Sequence, residues 1–341
     1  MVSKSSELKN LSSRDIPTRR KAVRWLMEND IQESLPQFVK FIDDDDVWFR
    51  EKAKLAFLNW CSDNYLDLVN DLLSEKSGKY DYFISAVLFN FTKNIDEIVE
   101  KLIKSENPQV RLNSRKFQLS NAGLNNLKTL IFDTLNDSDY RVRIIGANFI
   151  DSVEISGDLI EKILADSHSK VKLAALNRLN LNNHSKWIDK FQDVPDFKIR
   201  FNLILLRLEF LFECQEYSLL VETFSESDVS DKRKLVSNII NFDLKLINDF
   251  IAHLIDKKEW EFLILIISKS SKKDLILLRY ELSMNEEVPV EFRLKLIDKL
   301  KSRLNLIDFR TLIENLEEST DMRLVQEGEL IRGLLNESFE E

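Results

Sequence analysis

Histidines, cysteines and clustered carboxylates are the residues most able to do chemistry, and this chain has few of the first two. His168, His184 and His253 lie in no H-E-x-x-H segment and no His-Glu pair. That spacing builds no ligand set, so neither a metal nor a cofactor is expected. Cys61 and Cys214 are the only cysteines and lie far apart in sequence, too few for a cysteine zinc site. Nothing local marks a serine or cysteine nucleophile, and no catalytic residue is assigned. The densest acidic cluster is Asp43 to Asp46, in FIDDDDVWFR. A hard cation needs convergent oxygens on a shaped loop. Whether this run is such a loop, a charged binding patch or a turn depends on the elements around it.

The chain has 341 residues, 44% hydrophobic and 31% charged, a folded rather than a disordered composition. Only six glycines and five prolines occur, which disfavours Gly-rich phosphate loops, Rossmann crossovers and tight hairpins. The first residues, MVSKSSELKNLSS, contain no apolar signal core. The longest apolar runs, Phe201–Phe212 and Phe262–Ser268, are too short or too interrupted (Arg207, Glu209) to span a bilayer. The expectation is a reduced cytoplasmic or nuclear protein without a membrane partner. A net charge of −9 opposes general nucleic-acid affinity, which rests on neutralising phosphates. The charge is concentrated at the end of the chain, where residues 305–341 hold ten Asp/Glu against three Arg.

One pattern recurs from end to end. An acidic or amide residue precedes an apolar residue and an arginine, D/N-x-x-φ-R. It reads DIPTR ending at Arg19 (with Thr18 at φ), DVWFR at Arg50, NPQVR at Arg111, DYRVR at Arg143 and DFKIR at Arg200. HSKVK at Lys172, EFR at Arg293 and DMR at Arg323 are weaker copies, and degenerate ones fall at Phe83, Arg233 and Phe262. These eleven anchors are 28 to 33 residues apart, a solenoid period. Apolar residues recur at helical spacing after the anchor (Ala53, Ala56, Phe57; Gly146, Phe149, Ile150) and before it (Leu127, Leu130, Ile131, Leu135). Strand-like alternation is absent. Two helices of roughly 10 to 13 residues with short turns fill about thirty residues.

The pattern resembles HEAT repeats, above all the short repeats of phycobilin-lyase-type proteins, in which D-x-x-V-R-x-x-A opens the second helix of each pair. The match is best at Asp46–Ala53 and Asp139–Gly146 and weakest over about 225–289. The expected fold is therefore all-α: a right-handed α-solenoid of about eleven two-helix HEAT-like repeats, continuous over 1–341. Asp46 aligns with Asp15, Asn107, Asp139 and Asp196, which places all five at helix N-caps, supported by Pro17 and Pro108. Asp43 to Asp45 are then turn, and the acidic run is not a metal site. On this register Asp139→Ala costs about 0.5–2 kcal/mol and Asp44→Ala little. The resemblance further implies that Arg19, Arg50, Arg111, Arg143, Lys172 and Arg200 form a ladder with turn carboxylates of adjacent repeats.

Two residues before the anchor, Arg141, Lys170 and Lys198 occupy one register position in three successive repeats, a short basic stripe. Trp48 holds the same position in an earlier repeat and is expected outside, whereas Trp25 and Trp60 fall on apolar faces. The leading expectation is a non-enzymatic scaffold that binds a protein partner on its concave face, with Trp48, Arg141, Lys170 and Lys198 in contact. The alternative is a nucleic-acid-binding or repair protein resembling HEAT-like alkylpurine glycosylases, which KWID at Lys186–Asp189 faintly echoes and the acidic charge opposes. A tetrapyrrole-binding lyase rests on the repeat subclass alone. The missing His-Glu pairs remove a deoxyhypusine-hydroxylase-like enzyme. Self-association through 201–212 or 262–267 is a further expectation; the helix carrying FLILII is apolar nearly all round, which implies either deep burial or a docking surface for a partner or second copy.

Overall fold

A computed structural model describes residues 3–75, 78–270, 272–302 and 307–337, the last four by backbone alone. Of the acidic end, residues 305–306 and 338–341 lie outside the described residues. Among the described residues there are helices and short 3-10 turns but no strand.

Each of the eleven anchors falls within the first five residues of a helix. The cause is local. Asp15 accepts from the Thr18 N–H at 2.9 Å, Asp46 from Trp48 N–H at 2.9 Å, and Asn107 from Gln109 N–H at 2.9 Å. Asp139 does the same for Arg141 N–H at 2.8 Å, and Asp196 for Ile199 N–H at 3.1 Å. His168 caps through Nδ1, which accepts from Lys170 N–H at 3.3 Å. First-turn amides have no partner within the helix, so a short polar side chain at this point decides where the helix starts.

The chain divides into two compact units, Met1–Leu179 and Asn180–Glu341. In the first, the anchor-bearing helices are Ile16–Glu28, Val47–Trp60, Asp81–Ala86, Pro108–Asn121, Tyr140–Ala147 and Ser169–Leu176. Each packs on the next in chain order. Intervening helices such as Asp96–Leu102, Leu124–Leu135 and Gly157–Leu164 each pack on the anchor helix that follows. In the second unit Phe197–Glu213, Val229–Ile239, Trp260–Lys269, Val290–Leu300 and Met322–Glu337 stack in the same way. Both units are α-solenoid. The close approach inside a pair comes from a small residue three positions after the anchor: Ala22, Ala53, Ser114, Gly146 and Ala175, all buried. At Gly146 a Cβ would lie 3.2 Å from the Thr134 side chain and 3.3 Å from the Ile131 carbonyl oxygen. The corresponding residues of the second unit include Leu203, Val236 and Leu296, buried but bulky.

The run FLILII is core. Trp260–Lys269 touches four helices, namely Val229–Ile239, Leu244–Asp256, Lys273–Met284 and Val290–Leu300, so it has almost no outer face. Phe262 stacks on Phe224 with ring centroids 3.9 Å apart and meets Phe250 edge-on at 5.4 Å. Self-association through 262–267 is therefore corrected: its apolar side chains are used inside the unit. In the other run, Phe201, Leu203, Ile204, Leu208, Leu211 and Phe212 are buried as well, and Phe210 stays 56% exposed.

Among the described residues, three helices end with a non-glycine residue in the left-handed region: Asp30 (φ 48°), Gln215 (φ 59°) and Lys258 (φ 58°). Each closes a paired 6→1 and 5→2 bond set, for example Glu259 N–H to Leu254 O at 2.9 Å and Lys258 N–H to Ile255 O at 3.0 Å. An L side chain there costs about 1–2 kcal/mol, which glycine relieves at an entropic cost of about 0.5–1 kcal/mol. Lys258→Gly should therefore raise stability by about 0.5–1 kcal/mol in urea titration. Asp30→Gly should show no such gain, because Asp30 also accepts from Trp60 Nε1 at 2.6 Å. Equal gains at both positions would contradict this account.

Candidate functional site

Arg19, Arg111 and Arg143 tie consecutive repeats of the first unit together. Arg143 donates from Nε and Nη2 to Asp166 at 2.6 and 2.9 Å, and from Nη1 to the carbonyls of Asp137 and Ser138 in its own turn. Arg111 repeats the arrangement one repeat earlier. Its guanidinium pairs with Asp137 at 2.8 Å through both nitrogens and holds the Ser105 and Glu106 carbonyls. Arg50 grips the Asp44 and Asp45 carbonyls, Arg19 lies 3.6 Å from Asp44, and Arg200 pairs with Glu222 and Glu226.

The carboxylate partner stands two residues before the cap: Asp44, Asp137, Asp166 and Glu226 precede Asp46, Asp139, His168 and Asp228. Three of them also accept the cap residue's own N–H, at 3.0 Å for Asp44, 2.8 Å for Asp137 and 2.8 Å for Asp166. Asp44 is therefore no idle turn residue, and the expectation that its substitution costs little is corrected. Burial pushes the Asp137 and Asp166 carboxyls up. The paired guanidinium and the cap N–H outweigh it, so both lie below the usual 3.8.

The stripe residues are held differently from one another. Arg141 is exposed and folds back on its own cap, with Nε and Nη2 donating to Asp139 at 3.0 and 2.8 Å. That bond, with burial opposing and the Arg141 N–H assisting, holds Asp139 at about 2. Lys198 pairs with Asp231, the residue at its own register position in the next repeat, and with Asp228 at 3.4 Å. Lys170 is exposed, its Nζ 5.8 Å from the centroid of Tyr140, which in turn stacks on His168 at 3.8 Å.

Trp48 is half-buried rather than outside, because the previous repeat covers it. Arg20 and Arg24 lie over the indole with their guanidinium carbons 5.5 Å from its centroid, and Lys52 lies over it at 5.7 Å. Arg20 also pairs with Asp46 at 2.6 Å. Pattern reading missed Arg20, Arg24 and Lys52. An i, i+4 spacing of Arg20 with Arg24 and of Trp48 with Lys52 was the available signal. Trp187 of KWID is half-buried with Lys186 Nζ 4.3 Å from its centroid, and Asp189 is paired with Arg207.

Two of the histidines sit in local contacts. His184 Nδ1 accepts from Asn180 N–H at 3.2 Å, and His253 lies against the Tyr217 ring. Burial pushes the Cys61 thiol up to about 12, while Cys214 is exposed. Among the described residues no three His, Cys, Asp or Glu side chains converge as a metal site, and no helix is long and apolar enough to cross a membrane. A groove of about 460 Å³ beside Pro108–Asn121 has Asp96, Glu100, Gln118, Asn121 and Asn126 among its lining residues.

The fold and its rungs define an all-α protein of stacked helix pairs. No protein-family profile matches the chain, and no curated protein matches it. Among similar solved structures is a crystal structure of importin beta in an ammonium sulfate condition, at 12% identity and a TM-score of 0.43. The match covers 92% of this chain and 53% of that one, so the chain spans about half the length of that structure. Likeness at this level carries no argument about binding.

The rungs make a pH-dependent prediction. Asp137→Ala leaves a mostly buried Arg111 without its carboxylate and should cost about 3 kcal/mol, against about 1 kcal/mol for the cap variant Asp139→Ala. A carboxyl depressed by folding stabilises above its unfolded value and loses that contribution as pH falls through its folded value. The gap between wild type and Asp137→Asn should thus be full at pH 6, shrink below the usual 3.8, and close at lower pH. A gap constant from pH 6 to pH 2 in denaturant titrations would refute the rung.

Proposed function

We propose that this protein is a non-enzymatic scaffold of HEAT-like repeats, continuous through both units, that binds a protein partner along the face carried by its anchor helices. One observation supports this reading above the others: side chains on the anchor helices of neighbouring repeats physically meet. Lys198 reaches Asp231, its equivalent in the next repeat, and Arg20, one residue after its anchor, lies over Trp48. Side chains on successive helices of a unit therefore form rows, and rows that mix charges with an indole suit an extended polypeptide surface. Trp48, Arg141 and Lys170 belong to this face in the first unit, and Lys198 belongs to it in the second.

The internal pairing of Arg141 and Lys198 weighs against phosphate binding. Both would have to leave carboxylates before neutralising a nucleic acid, and the chain carries −9 overall. A protein partner with its own mixed charges can exchange pairs without that loss.

The test compares duplex DNA with partner capture from native lysate after nuclease treatment. Wild type should show no DNA binding at low salt, and a captured protein should associate more slowly with the Arg141→Glu, Lys170→Glu, Lys198→Glu variant. DNA binding with a log–log salt slope near about −2.7, lost in that variant, would replace this reading with the nucleic-acid one.

A further inference from the structure

We infer that the cluster around Trp48 is a docking site for an acidic peptide segment; this rests on the scaffold reading and names the chemistry of its partner. Two adjacent helices build it. Arg20 and Arg24 stand one turn apart on Ile16–Glu28, and Trp48 and Lys52 one turn apart on Val47–Trp60. All three cations lie within 5.7 Å of the indole centroid. Asp46 neutralises Arg20 at 2.6 Å. Arg24 and Lys52 have no carboxylate partner among the described residues, although Glu51 is exposed on the same helix as Lys52. An acidic chain has thus concentrated two uncompensated cations on a fixed aromatic platform.

The platform decides which anion fits. A nucleic-acid strand would bind such a spot by stacking bases on the indole, and the indole is already covered by the protein's own cations. What remains outward is a guanidinium fork and an ammonium, donors that match carboxylate and phosphate alike; with no free aromatic face left for bases, the peptide carboxylate is the better fit. Because the ring holds the cations in place, less side-chain freedom is lost when a carboxylate arrives.

The experiment uses the full chain and a fluorescein-labelled peptide of about ten glutamates, with oligothymidylate of similar length as the competing probe; a glutamate run of this length presents carboxylates on all sides of a short segment, as the site requires. Anisotropy should rise with the glutamate peptide, and Arg24→Glu with Lys52→Glu should weaken binding at least tenfold. Lys128→Glu with Lys162→Glu, exposed on the intervening helices Leu124–Leu135 and Gly157–Leu164, should leave it within twofold. Unchanged thermal unfolding verifies that the variants fold, and Arg24→Gln with Lys52→Gln should give an intermediate loss. No binding of the peptide, tighter binding of oligothymidylate, or equal loss in both variant pairs overturns the inference. The scaffold reading is judged apart from this. If Arg24→Glu with Lys52→Glu retains the wild-type partner, the site is refuted and the scaffold stands. If wild type retains no protein while the peptide binds at this cluster, the site stands and the scaffold reading fails.

Discussion

A guanidinium that serves two turns at once is the constraint on which the first unit depends. Arg143 holds two carbonyls of the turn it follows and both oxygens of Asp166 in the turn ahead. Its planar fork fixes the distance between those turns. Both members of the Arg143–Asp166 pair are mostly withdrawn from water, at 14% and 7% side-chain exposure. Salt screens such a pair far less than an exposed one.

The second unit meets the same need by other means. Its later repeats lack the fork and carry bulkier residues at the small-residue position, and hydrophobic burial takes over. Two arginines are drawn inside to satisfy helix ends. Arg279 donates from Nε to the Ile267 carbonyl at 2.6 Å and also reaches the Ser270 carbonyl. Arg293 donates from Nε to the Ser283 carbonyl at 2.8 Å. The terminal carbonyls of a helix have no partner within it, and a buried donor supplies one. Burial lowers the pKa of Arg293.

How much of this could be read in the chain depended on the range of the interaction. Helix starts were legible at Asp15, Asp46, Asn107, Asp139 and Asp196 because a cap acts over two or three residues. The rung carboxylates were expected only as unnamed turn residues, since Asp44 and Asp137 meet arginines of the preceding repeat. Trp48 was placed too far outside for the same reason: the residues covering it, Arg20 and Arg24, come from another repeat. The run FLILII left burial and self-association open, because periodicity reports that a helix is apolar on all sides and not what surrounds it. The boundary at Leu179 has no signal in a stretch where repeat spacing is regular.

The rungs have a consequence for how the chain reaches its structure. Arg111 meets Asp137 across 26 residues and Arg143 meets Asp166 across 23, so every such closure is short relative to the chain. Folding rates in small domains rise as contacting residues lie closer in sequence, because less loop entropy is lost before a contact forms. Where the rungs are intact and bidentate, from Asn107 to Leu176, two neighbouring repeats can acquire native order without waiting for either terminus. That stretch is suited to serve as the nucleus, with helix pairs added outward from it one at a time.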